Sequence, residues 1–390
     1  MHSDLKQNTS NKIVKTHQGG KTKKNQNKNK NQNKKYNKKH NKKHNKTPKS
    51  PKTKRGRPPN RRNRTFQDEP PKMVRTGLKK DACSPYSRGR TVVNKSCFTK
   101  GVLFDLKQTY NASHDPTEHI QSNDPREIHE TIQKRLPNCK RESCWVQKIA
   151  RPAVKNKLMS LLFSPPQPKE WKTNPTSWLS NFDILGVLKQ YEQNFPSFFF
   201  IGPSPIDYNA RHTRNRSQCV CNHLCNFSLQ QQYDKGIRKI GVIFNLDKHT
   251  ENGSHWVSLF IDLDEKFIFF FDSSSDPPLK GIRTFMKTVV SQGKTMQPNI
   301  QFKKYANRHM EHQLLNNECG MYSLFFIITM LIREKDGKKL TTKDAIRLFL
   351  GKRGRISDRD MNELRDDYFL ESDDDTEHNT LDTSLPLPTK

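Results

Sequence analysis

The first 66 residues carry almost nothing from which a hydrophobic core could form. Up to Phe66 the chain has 23 Lys and Arg and a single acid, Asp4, which gives this segment +22 of the total net charge of +32. Nearly half of its other residues are Asn, Gln and His. A basic tract with so few large apolar side chains cannot bury enough surface to offset the entropy cost of folding. We therefore expect a disordered basic tail over residues 1–70.

This tail suits contact with phosphate groups, and its affinity would fall steeply as salt concentration rises. The Arg55-Gly56-Arg57-Pro58 segment resembles an AT-hook, whose arginines enter the minor groove of A·T-rich DNA. The plainer interpretation, which we favour, is a solvated polycation that aids solubility, localisation or loose association with nucleic acid.

Hydropathy and cysteine content exclude several protein classes. No apolar run approaches the ~18 to 20 residues that span a bilayer, and residues 1–10 are polar with no signal-like apolar stretch behind them. We expect a soluble protein that is not secreted and has no membrane span. Eight Cys in 390 residues is an ordinary density, so we expect free thiols, metal ligands or a catalytic thiolate and no disulfide framework.

The rest of the chain divides into three parts. Residues 71–165 are predicted to form a small, mostly helical accessory domain, because Ile128, Ile132 and Leu136 have helical spacing and Cys144-Trp145-Val146 can supply core. Pro165-Pro166-Gln167-Pro168 is typical of a linker. Residues 166–370 have the apolar content of a globular domain, and residues 371–390 form a polar, acidic tail that we expect to be disordered.

Residues 166–370 show alternating strand and helix signals, which indicate an α+β fold. The stretch 318–332 is apolar nearly all round and predicts a central, buried helix. Strands 255–263 and 267–271 are separated by three polar residues, so we expect a hairpin. The other predicted strands cover residues 197–201, 241–246 and 299–305, and the other helices cover residues 181–192, 279–291, 342–350 and 359–370.

Cys319 falls in the first turn of the predicted buried helix, with Asn317 as a possible N-cap. A helix N-terminus favours a thiolate through its partial positive charge and its unpaired N–H groups. Gly320 would let a substrate backbone approach the sulfur. Taken alone, Cys319 could equally be a small buried apolar residue.

A thiolate nucleophile needs an imidazole, and the imidazole needs a group to orient it. His255 starts the first strand of the hairpin and Asp272 follows the second, so both should lie at one edge of the sheet. Gln313, six residues before Cys319, could donate its side-chain amide to an oxyanion. Separately, each of these three residues also fits an ordinary surface or turn position.

Cys219, Cys221 and Cys225, with His212 upstream, are the other candidates for chemistry. Three Cys and a His could bind zinc in a tetrahedral site. However, Cys-x-Cys-x3-Cys is not the usual pair of Cys-x2-Cys motifs. We favour reduced loop thiols, and we predict neither a metal nor any other cofactor.

In order and spacing, these motifs resemble the Ulp1/adenain-type cysteine proteases. The matching elements are His255-Trp256, then Phe271-Asp272-Ser273, then Gln313, then Cys319-Gly320 after five intervening residues. Trp178-Leu179 is similar to the Trp-Leu opening of that domain. The likeness is greatest to the thiol proteases of large cytoplasmic DNA viruses, of the African swine fever virus and mimivirus type. It implies a mixed sheet with a central buried helix that carries the nucleophile.

The resemblance also implies roles and a substrate class. Cys319 would be the nucleophile, His255 the general base and then acid, Asp272 the orienting carboxylate and Gln313 the oxyanion donor. The swine fever branch is expected to have Asn where this chain has Asp272, which leaves the reaction unchanged. The family implies cleavage after small residues, often Gly-Gly, because a narrow tunnel leads to the thiolate.

We therefore expect a cysteine endopeptidase that processes viral precursor polyproteins during particle maturation, in the virion and in viral factories of the host cytoplasm. The basic tail and the accessory domain would recruit it to nucleic acid or to assembling particles. One alternative is an isopeptidase that removes ubiquitin-like modifiers with the same residues. Another is an inactive, protease-fold virion protein that binds nucleic acid.

Overall fold

The computed structural model describes residues 81–211 and 218–371 of the chain. The predicted basic tail, with its Arg55-Gly56-Arg57-Pro58 segment, lies outside the described residues, and so does His212. Of the predicted tail over residues 371–390, only Glu371 is described. Within the described ranges, no helix is long and apolar enough to cross a membrane.

The first described part is built from four helices. They are α1 (Lys100–Asn111), α2 (Pro125–Arg135), α3 (Glu142–Ile149) and α4 (Pro152–Leu162). The predicted helix over 125–135 is confirmed, and it begins where the Asp124 carboxylate accepts the N–H of Arg126. Trp145, Phe98 and Phe163 are fully buried and form the centre of a separate apolar cluster. The boundaries of an accessory domain over 71–165 stay a prediction.

The second part is an α+β arrangement around a five-stranded mixed sheet, as the sequence predicts. The strands are ordered β1-β2-β3-β4-β5. Strand β3 is antiparallel to both β2 and β4, and the outer strands β1 and β5 pair in parallel with β2 and β4. The strands are β1 (Phe198–Pro205), β2 (Lys239–Asn245), β3 (Trp256–Asp262), β4 (Phe267–Phe271) and β5 (Lys303–Ala306). A small hairpin of β6 (Glu334–Lys335) and β7 (Lys338–Lys339) stands apart.

Helices cover both faces of this sheet, which explains why the central strand β4 is apolar in every position. On β4, Phe267, Phe269 and Phe271 face one apolar cluster, whereas Ile268 and Phe270 face the other. The first cluster is formed with α5 (Asn181–Asn194), α9 (Cys319–Ile332), α10 (Thr342–Phe349) and α11 (Asp358–Glu363). The second is formed with the short helices α6 (Asn222–Cys225) and α7 (Leu229–Asp234), and with α8 (Lys280–Thr295).

The predicted hairpin and the buried helix are both confirmed. Residues of β3 and β4 pair antiparallel from Ser258 with Phe271 to Asp262 with Phe267. Helix α9 packs across β3, and every residue from Cys319 to Leu331 is buried. The N-cap of this helix is Glu318, so the prediction of Asn317 as N-cap is wrong; the Glu318 side chain makes no cap hydrogen bond.

Three other sequence predictions differ from the structure. The Pro165–Pro168 segment is not a free linker, because the N–H of Gln167 donates to the Leu370 carbonyl and the N–H of Leu370 donates to the Pro165 carbonyl. The region predicted as one helix over 359–370 forms two short helices, α11 and α12 (Arg365–Tyr368), which are interrupted at Leu364. The strand predicted over 299–305 is shorter, because β5 begins at Lys303.

The cysteines also depart from expectation. Disulfides join Cys83 to Cys97, Cys139 to Cys144, and Cys219 to Cys225, with Cα separations of 5.1, 5.5 and 6.3 Å. Cys221 and Cys319 are free thiols. The expectation of unpaired cysteines was therefore wrong for six of the eight, because spacing along the chain does not show which residues the fold brings together.

One buried hydroxyl ties helix α9 to a loop before it and to a loop after it, and removal of this hydroxyl tests the link. The Tyr322 hydroxyl lies 3.0 Å from the carbonyl oxygens of both His312 and Ile356. We predict that Tyr322→Phe lowers the free energy of unfolding by about 1 to 3 kcal/mol, because buried carbonyls lose their donor. Urea unfolding measures the change. Tyr305→Phe is the matched control, since this hydroxyl has no hydrogen bond to any described residue; equal effects of the two variants would contradict the prediction.

Candidate active site

The ends of β3 and β4 bring an imidazole and a carboxylate into contact. His255 Nε2 lies 2.7 Å from Asp272 Oδ1, and both side chains are buried. Asp272 Oδ1 also accepts the N–H of Ser274 at 2.9 Å. Since one ring nitrogen bonds to the carboxylate, Nδ1 remains available for another partner.

The electrostatics of this pair favour a charged ring. Burial lowers the pKa of His255, but the negative charge and hydrogen bond of Asp272 oppose it, and interactions with Cys319 add to their effect. The net result is a pKa raised well above the ordinary value of histidine. The imidazolium form therefore persists to higher pH than in a free histidine.

Cys319 is the first residue of α9, and its side chain interacts with the His255 ring. Its exposed fraction is only 2%. The N–H groups in the first turn of a helix have no intrahelical acceptor, so they can donate to a group bound beside the sulfur. The structure thus brings His255, Asp272 and Cys319 into one cluster.

Gln313 lies in the same region and its side chain is held in a fixed orientation. The Ser273 hydroxyl donates to Gln313 Oε1 at 2.7 Å, and Gln313 Nε2 donates to the Leu315 carbonyl. The backbone N–H of Gln313 also donates to the Ser273 carbonyl at 3.0 Å. Because an amide nitrogen carries two protons, one of them is left for a further acceptor.

Several residues that support this cluster escaped the sequence analysis. The Asn307 side chain accepts the Asp272 N–H at 3.0 Å and donates to the Asp272 carbonyl at 2.5 Å. Asn307 follows β5, so its place beside Asp272 could have been inferred only from the pairing of β4 with β5. Ser273 was seen only as part of a motif, and the spacing to Gln313 gave no signal of their contact.

A buried ion pair fixes Glu318, the residue before Cys319. Arg365 Nη2 lies 3.0 and 2.9 Å from the two carboxylate oxygens of Glu318, and both side chains are buried. Arg365 also donates to the Pro175 carbonyl at 2.9 Å and lies over the Trp171 ring. Burial raises the pKa of Glu318 although Arg365 opposes the shift. The pair links three distant segments at the start of α9.

One wall beside Cys319 is built from residues before the sheet. The Trp256 Nε1–H donates to the Leu179 carbonyl at 3.1 Å. A Cβ atom at Gly320 would lie only 3.1 Å from the Leu179 Cβ, so this position accepts no side chain without displacing Leu179. Trp178 is 44% exposed next to this wall. Leu179 therefore packs directly against the residue that follows Cys319.

The candidate zinc ligands are not assembled. Cys219 and Cys225 are joined to each other, Cys221 is a free thiol, and His212 is not among the described residues. Across residues 81–211 and 218–371, no group of three or more His, Cys, Asp or Glu side chains is placed to hold a metal ion.

Comparison with known proteins gives a family for this site. Residues 237–375 match the model of the Ulp1 protease family, C-terminal catalytic domain. A protein of Acanthamoeba polyphaga mimivirus, named as a thiol protease, is 34% identical over 165 residues, which are 42% of this chain and 51% of the relative. The chain therefore spans about half the length of that relative.

A second relative comes from African swine fever virus. It is named a cysteine protease and is 27% identical over 247 residues, covering 57% of this chain and 87% of the relative. The counterparts from other isolates are named SUMO-1 cysteine proteases. A crystal structure of the African swine fever virus protease covers 76% of this chain and 97% of its own, with 20% identity and a TM-score of 0.49. Residues 237–375 of this chain are therefore similar to the catalytic domain of the Ulp1 cysteine proteases.

Proposed function

We propose that this chain is a cysteine endopeptidase that cleaves viral precursor polyproteins after small residues, at Gly-Gly-type sites. The observation that carries the proposal is the continuous contact from Asp272 through His255 to Cys319 in one buried cluster. A thiol beside a carboxylate-bound imidazole is the arrangement that acyl transfer requires.

The proposed reaction uses each residue in turn. The Cys319 sulfur attacks the substrate carbonyl, while the second Nε2 proton of Gln313 and the Cys319 N–H stabilise the oxyanion. His255 gives its proton to the leaving amine and a thioester forms. His255 then takes a proton from water, which attacks the thioester and releases the acid. Asp272 holds the ring and stabilises its positive charge.

The wall beside the sulfur supports the preference for small residues. Leu179 lies against Gly320, and Trp256 holds the Leu179 backbone. A substrate residue with a side chain would meet this wall before its carbonyl reached the thiol, whereas glycine would pass. The relatives from two large DNA viruses support a viral precursor as the substrate, with the virion and the host cytoplasm as the site of action.

The names of several swine fever relatives favour a second candidate, an isopeptidase that removes ubiquitin-like modifiers. One experiment separates the two. Purified protein is incubated with candidate viral structural precursors and, separately, with SUMO joined to a lysine side chain, and new termini are mapped by mass spectrometry. Cleavage of precursors at Gly-Gly sites supports the endopeptidase, cleavage of the modifier alone supports the isopeptidase, and cleavage of neither contradicts both.

We also propose that the basic tail recruits the enzyme to nucleic acid. Its support is the charge of +22 within 66 residues, which favours counterion release from a phosphate backbone. The AT-hook-like Arg55-Gly56-Arg57-Pro58 segment belongs to this tail, and base-specific contact is not needed for such recruitment.

Loss of the thiol should abolish the reaction. We predict that Cys319→Ser lowers kcat/KM by at least about a thousandfold while the melting temperature stays unchanged, because a hydroxyl is a much weaker nucleophile here. Turnover of a Gly-Gly peptide ester and thermal unfolding are the measurements. Cys221→Ser, which removes the other free thiol, should stay within about twofold of the parent protein; a fully active Cys319→Ser would refute the mechanism.

The pKa of His255 predicts a pH effect. The Asp272 charge raises this pKa, so Asp272→Asn should lower it. If activity needs the imidazolium, the alkaline limb of kcat/KM should move to lower pH by the same amount.

A second Asp–His pair provides the control for this pH effect. Asp207 Oδ2 lies 2.8 Å from His249 Nδ1 on the protein surface. The Asp207→Asn variant should leave the alkaline limb where it was. An alkaline limb unmoved by Asp272→Asn would show that this carboxylate does not set the ionisation of His255.

The oxyanion role of Gln313 predicts a defect in the chemical step. Gln313→Ala should lower kcat by on the order of a hundredfold with little change in KM, as expected for loss of an oxyanion donor. Single-turnover acylation rates measure it. Gln301→Ala, an exposed glutamine in the loop before β5, is the control. An unchanged acylation rate in Gln313→Ala would remove this residue from the mechanism.

A further inference from the structure

A second cavity lies between helix α8 and strand β5, and the proposed reaction does not use it. Its volume is about 610 Å³, within the range of typical ligand sites. The residues that line it come from α8, from β5 and from the loops beside them: Pro278, Arg283, Met286, Lys287, Val290, Ser291, Lys294, Lys304, Tyr305, Ala306 and Arg308.

Its rim is strongly cationic. Five lining residues are Arg or Lys and none is acidic: Arg283, Lys287, Lys294, Lys304 and Arg308. All five are exposed, and in the described part of the chain none pairs with a carboxylate. The three cations of α8 stand on one face of the helix, at spacings of four and seven residues. Uncompensated charge of one sign around a cleft attracts a partner of the opposite sign.

Its floor is apolar, and this feature decides the class of ligand. Met286, Val290, Tyr305 and Ala306 are all partly exposed in the cavity. A single phosphate would fill only a small part of the volume. A nucleic acid backbone would neutralise the rim but would leave the apolar floor in contact with water. A protein segment with apolar side chains between carboxylates would satisfy both.

We propose that this cavity binds an acidic, amphipathic segment of a partner protein, with its carboxylates on the α8 and β5 cations and its apolar side chains on the floor. This inference does not rest on the proposed function. The site is also separate from the reacting groups, although Asn307, which holds Asp272, lies between lining residues Ala306 and Arg308. The substitutions below leave Asn307 unchanged.

Binding to the full-length chain tests the proposal. The probe is a fluorescein-labelled peptide of Glu residues interrupted by Leu and Phe, followed by fluorescence anisotropy at physiological salt. The triple variant Arg283→Glu, Lys287→Glu, Lys294→Glu should raise Kd at least about tenfold. Val290→Ser should raise it by about threefold through the lost apolar contact.

The controls separate this cavity from overall charge. Lys134→Glu, Lys157→Glu, Lys343→Glu makes the same change of net charge at exposed positions elsewhere and should leave Kd within about twofold. The basic tail is present in every variant, so its contribution to peptide binding is the same in all of them. Equal weakening in the two triple variants would overturn the proposal. If thermal unfolding shows that the first triple variant does not fold, Lys287→Glu alone replaces it and should raise Kd at least about threefold.

Two further probes test the class of ligand. A peptide with Ser in place of Leu and Phe should bind at least about fivefold more weakly than the first peptide, because it has no side chains for the floor. Single-stranded oligothymidylate of equal charge should show no difference between the two triple variants. An acidic protein segment would be contradicted as the ligand if the Ser peptide bound as tightly as the first peptide. It would also be contradicted if only the Arg283→Glu, Lys287→Glu, Lys294→Glu variant lost oligothymidylate binding.

Discussion

His255 and Asp272 can share a hydrogen bond because the register of two antiparallel strands makes them neighbours. The pairing of Ser258 with Phe271 places Asp272 opposite Val257 when it is continued by one residue, so His255 becomes its diagonal neighbour on the same face. Such neighbours lie within reach of long side chains. A slip of one residue would put the two groups on opposite faces. The short turn between β3 and β4 and the apolar residues on both faces fix this register.

The position of the sulfur depends on a different constraint, because α9 must neither slide nor rotate on the sheet. Buried ion pairs hold both of its ends. At the start, Glu318 pairs with Arg365; at the end, Arg333 Nη2 lies 2.8 Å from Asp262 Oδ2 on β3. Each pair replaces hydration lost on burial with directed hydrogen bonds, so removal of one partner would leave an uncompensated charge. The apolar side chains of α9 hold the helix against the sheet, and the two ion pairs fix its position on the sheet.

Local pattern was sufficient to predict the hairpin, the buried helix and the closeness of His255 to Asp272, because each depends on residues near one another in sequence. The Glu318–Arg365 pair joins residues 47 positions apart, and the Ser273–Gln313 hydrogen bond joins residues 40 apart. Polar partners at such distances leave no periodicity, since any Arg or Ser could satisfy them. The disulfides were missed although their cysteines lie only 14, 5 and 6 residues apart, because an ordinary Cys content gives no sign of pairing. The N-cap of α9 was misplaced by one residue, and Glu318 makes no cap hydrogen bond that a local pattern could have shown.

The site also extends beyond the segment that matches the family model. Residues 237–375 contain His255, Asp272, Gln313 and Cys319, but the wall beside the sulfur is Leu179, held between Trp256 and the capping box of Ser180 and Asp183 at the start of α5. Arg365, near the end of the domain, donates to the Pro175 carbonyl. This hydrogen bond holds the segment that leads to Leu179. A chain that began at residue 237 would keep His255, Asp272, Gln313 and Cys319 but lose Leu179, which packs against Gly320. The geometry at the start of α9 thus depends on two separate parts of the sequence, joined through Arg365.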